Sequence, residues 1–152
     1  PKLEPYVRTD FSKLRRIVDT IEDDKLQRLV TWVMPAVSMS RDIMLSDHVK
    51  YIEACKSNFV GRLRDICLGG TILGFYSHGE PEKQYIKMIN FCNSSKFTSQ
   101  EKEFCFAEGL RQARQTYSRS KMNEICQNIP ETFSYLCFKT DHESPYDDPS
   151  FE

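Results

Sequence analysis

His48–His78, HVKYIEACKSNFVGRLRDICLGGTILGFYSH, is the stretch whose reading decides the fold. It is the longest region in which apolar residues recur without a proline, and amphipathic segments flank it on both sides. Tyr51, Ile52, Cys55, Phe59, Leu63, Ile66 and Cys67 follow helical spacing, while Lys50, Glu53, Lys56, Arg62 and Arg64 lie mostly off that line. A break is expected near Ser57-Asn58, where Asn58 can cap a new helix. Gly69, Gly70 and Gly74 then interrupt TILGFY, and each glycine costs about 1 kcal/mol relative to alanine inside a helix. That cost needs a reason, either a closely packed neighbouring helix or a short strand over 71–76. Helix is the preferred reading, because no companion strand is visible.

Upstream, after an extended start containing Pro5, Asp10 can cap a helix carrying Phe11, Leu14, Ile17, Val18 and Ile21. Thr20 with Asp23 resembles a capping box, opening a second helix with Leu26, Leu29, Val30 and Val33 on one apolar face and Trp32 beside it as a core residue. Pro35 is expected to end that helix, because it lacks a backbone donor and disfavours helical dihedrals at Met34. Ser38 to Ser46 then reads as a connector or a short helical turn, with Ser46 capping the central stretch.

Downstream, Gly79-Glu80-Pro81 is a turn and Pro81 can start the next helix, with Tyr85, Met88, Ile89 and Cys92 as its stripe. Thr98 and Glu101 form a capping box for the longest expected helix, 99–127, whose inward set is Phe104, Cys105, Leu110, Ala113, Tyr117, Met122, Ile125 and Cys126. Pro130 separates it from a last element around 131–138. No internal repeat at solenoid spacing is visible. The expected architecture is one all-α domain of six or seven helices over residues 1–140, followed by an acidic tail over 141–152.

The 152 residues, 39% hydrophobic and 28% charged, are those of one globular domain. No window reaches the roughly 18 apolar residues that a membrane-crossing helix requires, and the first residues are charged where a signal peptide is apolar. The net charge of -1 conceals segregation: Arg111–Lys121 holds four bases and no acid, and Asp141–Glu152 holds five acids and no Lys or Arg. The cysteines number six, and Cys55, Cys67, Cys92, Cys105, Cys126 and Cys137 all sit among apolar residues. Reduced, buried thiols in a cytoplasmic protein are the preferred reading; a secreted, disulfide-bonded chain is the alternative. Asn93-Ser94-Ser95 has the pattern of a glycosylation acceptor.

Chemistry is less legible. Cys67 and His78 are the pair to consider for a thiol nucleophile, but nothing in the spacing specifies hydrogen-bond reach. Cys137 and His142 make half a zinc site without a second pair, and the glycines lack the ending of a phosphate-binding loop. No cofactor is expected. The sharpest binding feature is RQARQTYSRSK: on a continuous helix Arg111, Arg114 and Lys121 share a sector flanked by Arg119, and Arg15 and Arg16 would widen the patch. Such a face can neutralise phosphates, with Tyr117 available to stack on a base.

Two local resemblances add expectations. Thr20-Ile21-Glu22-Asp23-Asp24-Lys25-Leu26, with Leu29 and Thr31, resembles a segment near the start of the C-terminal domain of the filovirus minor nucleoprotein that activates transcription. That likeness implies a helical domain docking on a main nucleoprotein, in a viral, RNA-associated role. Asn58-Phe59-Val60-Gly61-Arg62 leading to Gly69-Gly70 resembles the Asn-Trp-Gly-Arg to Gly-Gly region of the Bcl-2 family, whose Arg meets an acid on a partner helix in an apolar groove. Here Phe replaces Trp, Arg62 is displaced by one position, and Arg64-Asp65 puts charge where that family is apolar. The functional expectation is a non-enzymatic interaction or adaptor domain that binds a protein partner through a helical groove or basic face. An RNA-associated or nucleocapsid-binding regulator comes second and a thiol enzyme third, and a homo-oligomer is compatible with any of these.

Overall fold

The computed structural model describes residues 10–44 and 48–142. They form α1 (Phe11–Asp19), α2 (Asp24–Asp42), α3 (Val49–Asn58), α4 (Gly61–His78), α5 (Gln84–Cys92), α6 (Ser99–Thr116), α7 (Arg119–Asn128) and a terminal 3-10 helix (Glu131–Cys137), with no strand among the described residues. The all-α expectation holds, and six or seven helices is close to the eight observed. The extended start, the Ser46 cap and the acidic tail from Glu143 onward lie outside the described residues.

The glycines of the central stretch are helical, and a neighbouring helix explains them. A Cβ on Gly70 would lie 2.1 Å from the Trp32 carbonyl oxygen, one on Gly74 2.5 Å from Met39 Cβ, and one on Gly69 2.7 Å from the Trp32 ring. Helix α2 therefore approaches α4 so closely that only hydrogen fits at the contact, and the strand reading of 71–76 falls away. The expected break is also present. Asn58 does not cap α4, however: its side chain donates to the Ala54 carbonyl, Val60 occupies the cap position, and Gly61 supplies a positive φ of 58°.

The same packing overturns three readings of α2. Pro35 lies inside the helix, which continues through the expected connector to Asp42. A proline forfeits one backbone hydrogen bond, but Pro35 is buried here among the residues of α2 that include Trp32, Ala36 and Met39 against α4, and that burial outweighs a local breaking tendency. The start is capped by Asp23, which accepts from the Leu26 N–H, while the Thr20 hydroxyl donates to the Ile17 carbonyl. Finally, the buried face carries Thr31, Trp32, Pro35, Ala36 and Met39, whereas Leu26, Leu29 and Val33, expected inward, are exposed. Periodicity identifies an apolar stripe but not which of two stripes meets a partner; the small and flat side chains that fit the glycine groove decide it.

Downstream, the Thr98–Glu101 capping box forms in both directions. The expected single helix over 99–127 is two helices, because Tyr117 is extended and the Ser118 hydroxyl accepts from the Lys121 N–H to start α7. Tyr117 is held out of helical geometry by its own contacts. Its hydroxyl donates to Gln84 Oε1 and accepts from the Tyr85 N–H, locking the α6–α7 turn to the start of α5. That helix starts at Gln84 rather than at Pro81.

The cysteines are paired, which corrects the expectation of free thiols. Cys55–Cys67 joins α3 to α4, Cys92–Cys105 joins α5 to α6, and Cys126–Cys137 joins α7 to the 3-10 helix, so no cysteine is free. Their Cα separations of 5.7, 5.4 and 6.0 Å lie in the disulfide range. Each bridge closes one helical hairpin, and the hairpins recur roughly every 35 residues, an interval visible only in the pairing because the residues between are unlike. Three disulfides favour the secreted alternative over the cytoplasmic reading, since reducing compartments keep thiols open. No helix among the described residues is long and apolar enough to cross a membrane.

Candidate functional site

The expected basic face is divided by the turn at Tyr117. Arg111 and Arg114 stay on α6, while Arg119 and Lys121 start α7. Arg111 forks onto the fully buried Glu108, with Nε 3.2 Å from Oε2 and Nη2 2.9 Å from Oε1. Arg114 turns its guanidinium to the carbonyls of Leu136, Cys137 and Lys139, at 3.0, 3.4 and 3.2 Å, closing the end of the 3-10 helix. Burial lowers its pKa from the usual arginine range. Lys121 pairs with Glu124 at 3.0 Å and lies 5.1 Å from the Tyr85 ring centre. Arg15 bonds Asp19 at 2.7 Å and the Asn58 carbonyl at 3.3 Å, tying α1 to the α3–α4 turn, and Arg16 is exposed on α1.

Two of these residues do converge. Arg114 and Arg119 line an open groove of about 970 Å³ between α7 and the 3-10 helix, floored in part by the Cys126–Cys137 bridge. Tyr117 and Met122 add apolar wall, and Phe138 stands at the rim with 89% of its surface exposed. No carboxylate lines the groove, so its charge is positive and its walls are mostly apolar. Phe138 was missed in the sequence; its one signal was an aromatic following the last cysteine with Lys139-Thr140-Asp141 beyond it and no helical mate.

Beside the groove, Glu108 gathers a second cluster. Arg111, Gln112 Nε2 and His142 Nε2 all reach its carboxylate, His142 at 3.1 Å, and Gln112 Nε2 also donates to the Gly69 carbonyl of α4. Burial raises the Glu108 pKa, but the hydrogen bonds from His142, Arg111 and Gln112 and the Arg111 charge outweigh it and bring it to about 2. The cluster pins the chain after the 3-10 helix onto α6, with the His142 ring also 5.6 Å from that of Phe104.

The other suggested chemistry loses its groups in this structure. Cys67 is bonded to Cys55, leaving no thiol for His78, and the half zinc site of Cys137 and His142 is spent on Cys126 and Glu108. Among the described residues no group of three or more His, Cys, Asp or Glu is placed to hold a metal. Asn93 of the acceptor pattern is exposed at the end of α5. Compared with protein-family models, curated proteins and solved structures, the chain matches none, so neither local resemblance gains support.

Proposed function

We propose that this chain is a non-enzymatic interaction domain of an oxidising, extracellular or secretory compartment, and that the groove between α7 and the 3-10 helix takes an acidic, apolar-bearing segment of a protein partner. The observation that carries this reading is the groove itself: two arginines and no carboxylate line it, and an exposed aromatic stands at its rim. An apolar anchor beside a desolvated charge is the usual composition of a protein-binding hot spot. The disulfide and the Arg114 contacts hold the groove walls in place before a ligand arrives, which lowers the ordering cost of binding.

The test is a peptide-library selection on the oxidised chain, followed by fluorescence-polarisation titration. Acidic peptides with an aromatic or aliphatic residue should be enriched, and Arg119→Glu or Phe138→Ser should weaken them at least about tenfold. Enrichment that ignores both substitutions removes the proposal. Salt-sensitive retention of an RNA pool, lost on Arg16→Glu and Arg119→Glu, would favour the RNA-associated reading instead.

A further inference from the structure

The three disulfides differ in what surrounds them. Cys55, Cys67 and Cys92 have no exposed surface and Cys105 has 2%, so two of the bridges lie inside the core. Cys126 and Cys137 are only partly buried, and both line the groove between α7 and the 3-10 helix. A reagent that enters the groove meets this bridge in the folded chain, whereas the other two need the core to open. The surroundings are also electropositive. Arg114 and Arg119 line the same groove, Arg114 Nη2 lies 3.4 Å from the Cys137 carbonyl oxygen, and no carboxylate among the described residues lines it. Glu124, the acid of α7, is engaged by Lys121 and the Tyr85 hydroxyl. Access and neighbouring cations are the two conditions under which a cysteine sulfur exchanges readily with a thiolate.

We propose that Cys126–Cys137 is a site of thiol–disulfide exchange that takes a small anionic thiol, one bearing carboxylates, from the groove. The incoming thiolate attacks Cys126 Sγ. A bond forms between those two sulfurs, the bond between Cys126 and Cys137 breaks, and its electron pair leaves on Cys137 as a thiolate. Arg114 stands beside that residue, and a cation near a leaving thiolate favours its departure. A second thiolate then attacks the small thiol's sulfur in the mixed disulfide and releases Cys126. Two small thiols are thereby oxidised to one disulfide, while the bridge is reduced to two cysteines that take protons from water. Arg119 is the exposed cation of the groove and meets the carboxylates of the incoming thiol. Exchange opens the C-terminal hairpin and leaves Cys55–Cys67 and Cys92–Cys105 in place. It rests on the bridge and its two arginines, not on the peptide reading of the groove, so either can fail alone.

Reduced glutathione is the probe. The oxidised full chain is incubated with it at neutral pH, quenched with an alkylating reagent and mapped by peptide mass spectrometry. Cys126–Cys137 should open at least about tenfold faster than either core bridge. The first intermediate should carry glutathione on Cys126 and the alkyl group on Cys137. Arg119→Glu should slow glutathione at least about threefold and should not slow cysteamine, whose thiolate is balanced by its own ammonium group. Because Arg119 is exposed, the far-UV circular dichroism of that variant should match the parent. Three bridges that open together, or a core bridge that opens first, overturn the proposal. Equal slowing of both thiols by Arg119→Glu, or no change with either, overturns the anionic class of thiol, and an adduct that forms first on Cys137 overturns the direction of attack.

Discussion

Helix α2 and the C-terminal hairpin of α7 with the 3-10 helix are fastened to the same body by opposite means. Between α2 and α4 there is no covalent link; the two backbones meet over Gly69, Gly70 and Gly74, and close contact along a 19-residue helix supplies the attachment. The C-terminal hairpin has ten residues of helix and seven of 3-10 helix, burying Ile125, Phe133 and Leu136, and it is held by Cys126–Cys137 and by Arg114 on its terminal carbonyls. A long element with a shaped face can be secured by packing alone. A short one buries too little for that, and covalent and charge-assisted bonds make up the difference.

The comparison breaks most sharply at Gly70. Gly70→Ala places its Cβ against a backbone carbonyl, which cannot rotate away, and should destabilise the chain by more than about 4 kcal/mol, read as loss of a cooperative thermal transition. Gly69→Ala meets only the edge of the Trp32 ring and should be milder. If Gly70→Ala melts like the parent, α2 is not held by close approach.

Removing the staple should act locally. The double substitution Cys126→Ala with Cys137→Ala opens a loop of 11 residues and should cost about 2 to 3 kcal/mol. Hydrogen exchange should speed across α7 and the 3-10 helix while the amides of α2 and α4 keep their protection. Uniform acceleration would mean that the two regions unfold as one.

The smallest effect separates charge from packing. Glu108 is held at about 2 in the folded chain against an ordinary 4.5, so its stabilisation is complete above pH 4.5 and is lost as the pH falls toward 2. Glu108→Gln should cost about 2 kcal/mol at neutral pH and flatten the decline of melting temperature across that acid window. An unchanged acid profile would show that the His142 and Arg111 contacts do not hold the carboxylate charged.

The candidate groove was half legible. Arg114 and Arg119 stood out as bases in an acid-free segment, but the helix expected to align them with Arg111 and Lys121 ends at Tyr117. The reason is a hydrogen bond between that hydroxyl and Gln84, a residue distant in the chain, and no local propensity encodes it. Phe138 and the apolar outer face of α2 went unread as surfaces because an apolar residue at helical spacing is ordinarily core.

By itself the sequence determined the all-α class and several of the helix starts and breaks, since apolar spacing, the Asp10 and Thr98 caps and the break after Asn58 act within one or two turns of chain. It also showed that Gly69, Gly70 and Gly74 needed a reason, a close neighbouring helix or a short strand, without choosing between them. Only the tertiary structure decided which face of α2 meets those glycines, that Pro35 stays inside a helix, and which cysteines bond. Each of those outcomes is set by contacts between segments far apart in the chain, where the energy of packing two surfaces exceeds the local preference of any one residue.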